Sequence, residues 1–163
     1  MMRFRRHFLL AIALIIASAF PAFSGGRTET VGKGIKRADI TEFWYTYSTS
    51  TNPPQFQRYR FFADGDVWHF YHERREGGHW PLSESAITVS GDIVLTQAQT
   101  EKLFSCLDGG TVKAREESAD SGSSGPWLYL YWTGDRSKFQ EFSFRSYSDR
   151  LSFEELCRNL AGL

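Results

Sequence analysis

From Gln55 to Glu73 the chain alternates ring-bearing and polar side chains on either side of Asp64-Gly65. Asp-Gly between aromatic and β-branched runs predicts a hairpin, because a two-residue type I′ turn needs positive φ at both central positions. With Asp64 and Gly65 as the central pair, Ala63 faces Asp66, Phe61 faces Trp68, Tyr59 faces Phe70 and Gln57 faces His72. Successive side chains point to opposite faces of a strand. Tyr59, Phe61, Trp68 and Phe70 therefore share an expected core face. Arg58, Arg60, Phe62, Val67, His69 and Tyr71 share the other, a mixed basic and aromatic surface.

The same alternation over Ile40 to Ser48 predicts a strand with Phe43, Tyr45 and Tyr47 on one side and Trp44, Thr46 and Ser48 on the other. Asn52-Pro53-Pro54 breaks it, since proline lacks the backbone donor a ladder needs. Arg74 to Pro81 is polar and glycine-containing and predicts a loop carrying Trp80. Ala86 to Leu95 has Ile87, Val89, Ile93 and Leu95 in strand phase, with Gly91 where a bulge or a close approach is expected. Thr96 with Gln99 forms a capping-box pattern ahead of Leu103, Cys106 and Leu107, and Gly109-Gly110 closes that helix. Thr111 to Glu117 can add a short strand. Trp127 to Trp132 and Phe139 to Phe144 predict a second hairpin with Leu128, Leu130, Phe142 and Phe144 inward. Ser152 with Glu155, and Leu151 with Leu156, predict a capped and stapled C-terminal helix whose buried face is Phe153, Leu156, Cys157 and Leu160.

The first residues change the picture of where the protein works. A basic start, Met1 to His7, precedes an apolar run from Phe8 to Phe20 and small residues at Ala22 and Ser24, the pattern of a secretory signal peptide cleaved before Gly25. As a helix the apolar run reaches only about 20 Å, short of the ~30 Å hydrocarbon core. The alternative is a membrane tether through an uncleaved N-terminus. Cleavage removes Arg3, Arg5 and Arg6 and no acidic residue, so 19 basic residues fall to 16 against 19 acidic ones. A mildly acidic chain lacks the concentrated basic face a nucleic-acid binder needs. About 139 residues then remain, enough for one domain with its own core. Gly25 to Asp39 has neither period and is expected to be a flexible leader.

Chemistry-bearing patterns are few. Cys106 and Cys157 are the only cysteines. In an oxidising compartment they can pair, closing a separation that the chain-entropy model values at about 4 kcal/mol, or stay as buried thiols acting as small hydrophobes. His69 and His72 lie three apart, which in a strand sends them to opposite faces and argues against a shared metal. Asp120, Ser121, Ser123 and Ser124 lack the spaced carboxylates of a calcium loop. Gly122-Ser123-Ser124-Gly125 has the wrong spacing for a nucleophile elbow. Glu73, Glu76, Glu116, Glu117 and Glu141 show no pairing that assigns an acid and a base. No catalytic residue, metal ligand or cofactor is implied.

The stretches Thr111-Val112-Lys113-Ala114-Arg115-Glu116-Glu117-Ser118 and Gly125-Pro126-Trp127-Leu128-Tyr129-Leu130-Tyr131-Trp132-Thr133-Gly134-Asp135 resemble small exported or lipoprotein-like bacterial proteins. The resemblance implies export and a sheet-plus-helix domain. It implies no activity and assigns no residue a role, and the missing lipobox cysteine separates this chain from the lipoprotein members.

The expectation is an α+β protein: a signal peptide at 1–24, a leader at 25–39, and one domain at 40–163. That domain would hold an antiparallel sheet of about five or six strands built on two hairpins, with helices at about 97–108 and 153–161. Its expected role is that of a binding module in the periplasm, cell envelope or extracellular space, with a protein or glycan partner. Arg58, Arg60, Phe62, His69, Tyr71 and Trp80 are the candidate contact residues, a set that Tyr129 and Tyr131 could join, since aromatic and arginine side chains are enriched at recognition surfaces. A second layer packed on that face would instead make its rings core. A structural envelope protein, an inhibitor presenting His79-Trp80-Pro81, or a small hydrolase are the alternatives.

Overall fold

Long aromatic strands dominate the architecture. The computed structural model describes residues 27–116, 125–133 and 139–162. The predicted signal segment, the serine-rich 117–124 stretch with its calcium-loop and elbow readings, and the 134–138 turn lie outside the described residues. The strands are β1 (Thr28–Thr30), β2 (Ile40–Thr49), β3 (Gln55–Asp64), β4 (Val67–Glu76), β5 (Ile87–Val94), β6 (Thr111–Arg115), β7 (Trp127–Trp132) and β8 (Phe139–Ser143). They form one antiparallel sheet in the order β1-β6-β8-β7-β2-β3-β4-β5. Helix α1 (Gln97–Leu107) carries the chain from the β5 edge back toward β6, and α2 (Tyr147–Ala161) follows β8. The expectation of an α+β domain with about five or six strands is corrected: among the described residues, eight strands, 48 % strand content and two helices make this a mainly β fold. The count fell short because β6 is only an optional strand in the sequence and because β1 is three residues long, too short to show alternation, and lies in the stretch expected to be a leader. That stretch is built into the domain, with Val31 and Ile35 almost fully buried.

The first hairpin forms with its turn one residue later than expected. Asp64 pairs with Val67, Phe61 with Phe70 and Tyr59 with His72, so Gly65 and Asp66 are the central residues. Gly65 has φ +60° and no non-glycine residue among those described has positive φ, which fits the type II′ turn and its first-position glycine rather than type I′. The partner of each β3 residue moves by two, an even number, and so every side chain keeps its expected face. Gly91 is a close approach: a Cβ there would stand 2.7 Å from His72 Nε2.

Both helices lie on the face that carries Phe43, Tyr45, Tyr59, Phe61 and Phe70. Thr96 caps α1 through the expected box with Gln99. α2 starts earlier than expected, at an N-cap Ser146 whose hydroxyl accepts from the Asp149 amide at 3.1 Å, so Ser152 and Glu155 sit inside the helix. Leu151 is left 44 % exposed and makes no staple. The upstream cap prevails because Asp149 is also held by Arg145 at 3.0 Å, an i,i+4 pair that the downstream box lacks. Phe153 inserts against Phe43, Tyr45, Phe61 and Phe144, with ring centroids 5.2–5.7 Å apart. Trp68 meets Phe104 of α1 edge to face. Burying each such ring stabilises by roughly 1.5–3 kcal/mol, which fixes both helices to this side of the sheet. Cys106 and Cys157 are free thiols buried within the same cluster, and burial pushes both above the ordinary thiol range.

Candidate binding site on the outer face of the sheet

With both helices on one side, the opposite face of the central strands keeps its side chains partly open. Its middle is a column in which rings and guanidinium groups alternate. Arg60 lies over Phe62 at 4.5 Å and over Trp44 at 5.1 Å; Arg58 lies over Trp44 at 4.8 Å and Phe56 at 5.1 Å; Arg75 lies over Phe56 at 4.3 Å. Register explains the order, because Trp44 pairs with Arg60 and Thr46 with Arg58 across β2 and β3. Cation–π contacts of this kind contribute about 0.5–1 kcal/mol each where partly exposed.

Charge in the column is nearly balanced. Glu73, only 4 % exposed, accepts from Tyr71 Oη at 2.7 Å and from Arg75 Nη2 at 2.7 Å and Nε at 3.2 Å, with Arg58 Nη1 at 3.4 Å. A buried carboxylate is tolerated when its lone pairs are filled in this way. Burial lowers the Arg58 pKa, with Glu73 acting in the opposite sense, and burial followed by the Glu73 hydrogen bond raises that of Tyr71. Arg60 pairs with Glu42. His69 stacks on Phe62 at 5.0 Å and meets Asp92 at 3.2 Å, whereas His72 stacks on Phe70 on the helix side. Among the described residues no three metal-ligating side chains cluster.

Beside the column lies a cavity of about 300 Å³. Trp44, Phe56, Trp80, Trp127, Tyr129 and Tyr131 wall it, and Thr46, Ser48 and Arg58 supply its polar groups. β7 brings in the last three rings, since Trp127 pairs with Thr46, Tyr129 with Trp44 and Tyr131 with Glu42. Trp80 comes from the loop after β4, which Arg75 Nη1 ties down through the Leu82 carbonyl at 3.1 Å. Ser48 is 2 % exposed, and neither its hydroxyl nor Arg58 Nε has a hydrogen-bond partner among the described residues. Unmade hydrogen bonds of buried groups cost roughly 1–3 kcal/mol each. A larger cavity, about 560 Å³, opens at the Pro53-Pro54 end of the sheet, but none of the buried unpartnered side-chain atoms belongs to its lining.

All six sequence-selected contact residues are on or beside this face. Arg58 and Trp80 line the cavity, while Arg60, Phe62, His69 and Tyr71 form the neighbouring column. Trp44, Thr46, Ser48, Phe56 and Trp127 were not selected. Their parity was readable in the alternation, but their meeting depends on β7 pairing with β2, which neither hairpin announces. The chain matches no family model, no curated protein and no solved structure.

Proposed function

We propose that the protein is an exported binding module that holds a small ring-bearing group in the outer-face cavity and performs no chemistry on it. The observation that carries this reading is the buried Ser48 hydroxyl, without a partner among the described residues, in an aromatic-walled cavity. Ligand sites have this composition: mostly apolar and aromatic walls with a few placed polar groups. The signal-peptide pattern supports export, to the periplasm or beyond the cell. No helix among the described residues is long and apolar enough to cross a membrane. Among the described residues the scattered carboxylates and the buried thiols offer no nucleophile with a base beside it, which favours capture over catalysis.

The test is tryptophan fluorescence during titration with neutral and acidic saccharides, aromatic acids and quaternary amines. At least one class is expected to shift the emission of the native protein, and Trp44→Ala and Trp127→Ala to abolish the response while leaving the fold intact. Silence across the whole panel, or a response indifferent to both substitutions, overturns the reading.

A further inference from the structure

We infer that the group held in the cavity is an acidic saccharide, a pyranose ring carrying a carboxylate. This rests on the reading of the cavity as a ligand site and names the ligand class. Three tryptophans and two tyrosines around one space also describe an aromatic cage for a quaternary ammonium. Arg58 decides against that, because among the described residues the only ionised side chain lining the cavity is a cation and would repel one.

Charge accounting favours an anion. Arg58 and Arg75 share the carboxylate of Glu73 as their direct ion-pair partner, and Glu84 adds only a weaker attraction on Arg58, so the two guanidinium groups outnumber the carboxylate they both touch. Arg58 Nε–H lacks an acceptor among the described residues, and a ligand carboxylate supplies both the acceptor and the charge.

The spread of polar groups favours a saccharide over an aromatic acid. Thr46 and Ser48 alternate along β2, so their hydroxyls stand roughly 6–7 Å apart along the cavity floor. Arg58 faces Thr46 from the adjacent strand. An aromatic acid has one polar end and would leave part of this row unpaired. A pyranose carries hydroxyls around its rim and presents flat C–H faces to the tryptophan rings, whose faces are electron-rich. About 300 Å³ is at the small end of ligand cavities and fits one or two rings rather than a protein segment.

The experiment compares four probes by isothermal titration and fluorescence: a disaccharide ending in glucuronic acid, its neutral glucose counterpart, benzoate and tetramethylammonium. The acidic disaccharide is expected to bind native protein at least about tenfold more tightly than the neutral one, a difference of about 1.4 kcal/mol. Arg58→Gln removes the preference, and Ser48→Ala, which leaves the arginine pairs untouched, weakens both saccharides several-fold. Ser48→Ala keeps the test decisive should Arg58→Gln perturb the fold. Equal binding of the two disaccharides overturns the acidic assignment, and binding of benzoate or tetramethylammonium alone overturns the saccharide assignment, while in either case the cavity remains a ligand site. Binding of none of the four overturns the assignment, and the wider panel above then decides the ligand site separately.

Discussion

The two faces of the central sheet use the same rings to opposite ends. On the helix side Phe43, Tyr45, Phe61 and Phe153 cover one another ring against ring, with Phe43, Phe61 and Phe153 fully buried. On the outer side Trp44, Phe56 and Phe62 are covered by guanidinium planes. The difference teaches that aromatic content does not by itself mark core. A ring packed on a ring excludes water. A ring packed under an arginine keeps a charged group at the surface. Polarity confirms the division: Tyr45 and Tyr59 on the inner face have their phenols desolvated, Tyr59 being pushed up to about 12, while the outer face keeps its one buried carboxylate fully paired.

The comparison can be broken most forcefully at Phe153. Phe153→Ala removes the ring that four inner-face partners share, and it is expected to cost about 3–5 kcal/mol in urea unfolding while leaving any outer-face binding by the folded fraction intact. Glu73→Ala is the outer-face counterpart, expected to cost about 3 kcal/mol because it strands Arg58 and Arg75 rather than opening a cavity. A loss of that size from the carboxylate and a negligible one from the phenylalanine would invert the assignment of core and surface. Thr96→Ala sharpens the picture at the edge of the inner layer. It removes the α1 cap and should lower the unfolding free energy by about 1 kcal/mol without changing the outer face.

The smallest expected effect is a pH dependence. Burial on the helix side holds the His72 pKa below its ordinary value. The unfolded chain then takes up a proton first, so this contribution to stability is complete above about pH 6.5 and is lost as the pH falls below it. His72→Gln should flatten the stability slope between neutral pH and the onset of carboxylate titration, whereas the same slope in native protein and variant would place the imidazole in solvent.

Much of this division was legible in the alternation of residues along the strands. Phe43 against Trp44, and Phe61 against Arg60 and Phe62, were assigned to opposite faces by parity alone, and a turn displaced by one residue left those assignments intact. Three things were not legible. Which face the helices would cover depends on the crossover from β5 to β6, a long-range choice that leaves no local trace. The cavity needed β7 beside β2, so Trp127 and Trp44 lie far apart in sequence and meet only through the sheet order. The start of α2 turned on two serine-led caps of similar appearance, and the one at Ser146 prevailed through its Arg145–Asp149 pair.

Adjacent residues on β2 test the account most directly. Titration of the glucuronic-acid disaccharide into Trp44→Ala, with its urea midpoint measured on the same sample, separates binding from folding at a single position. The account predicts that binding is lost while stability falls by no more than about 2 kcal/mol, the sum expected from two cation–π contacts. Native-like binding by a folded Trp44→Ala, or collapse of the fold as severe as that caused by Phe43→Ala, would contradict it.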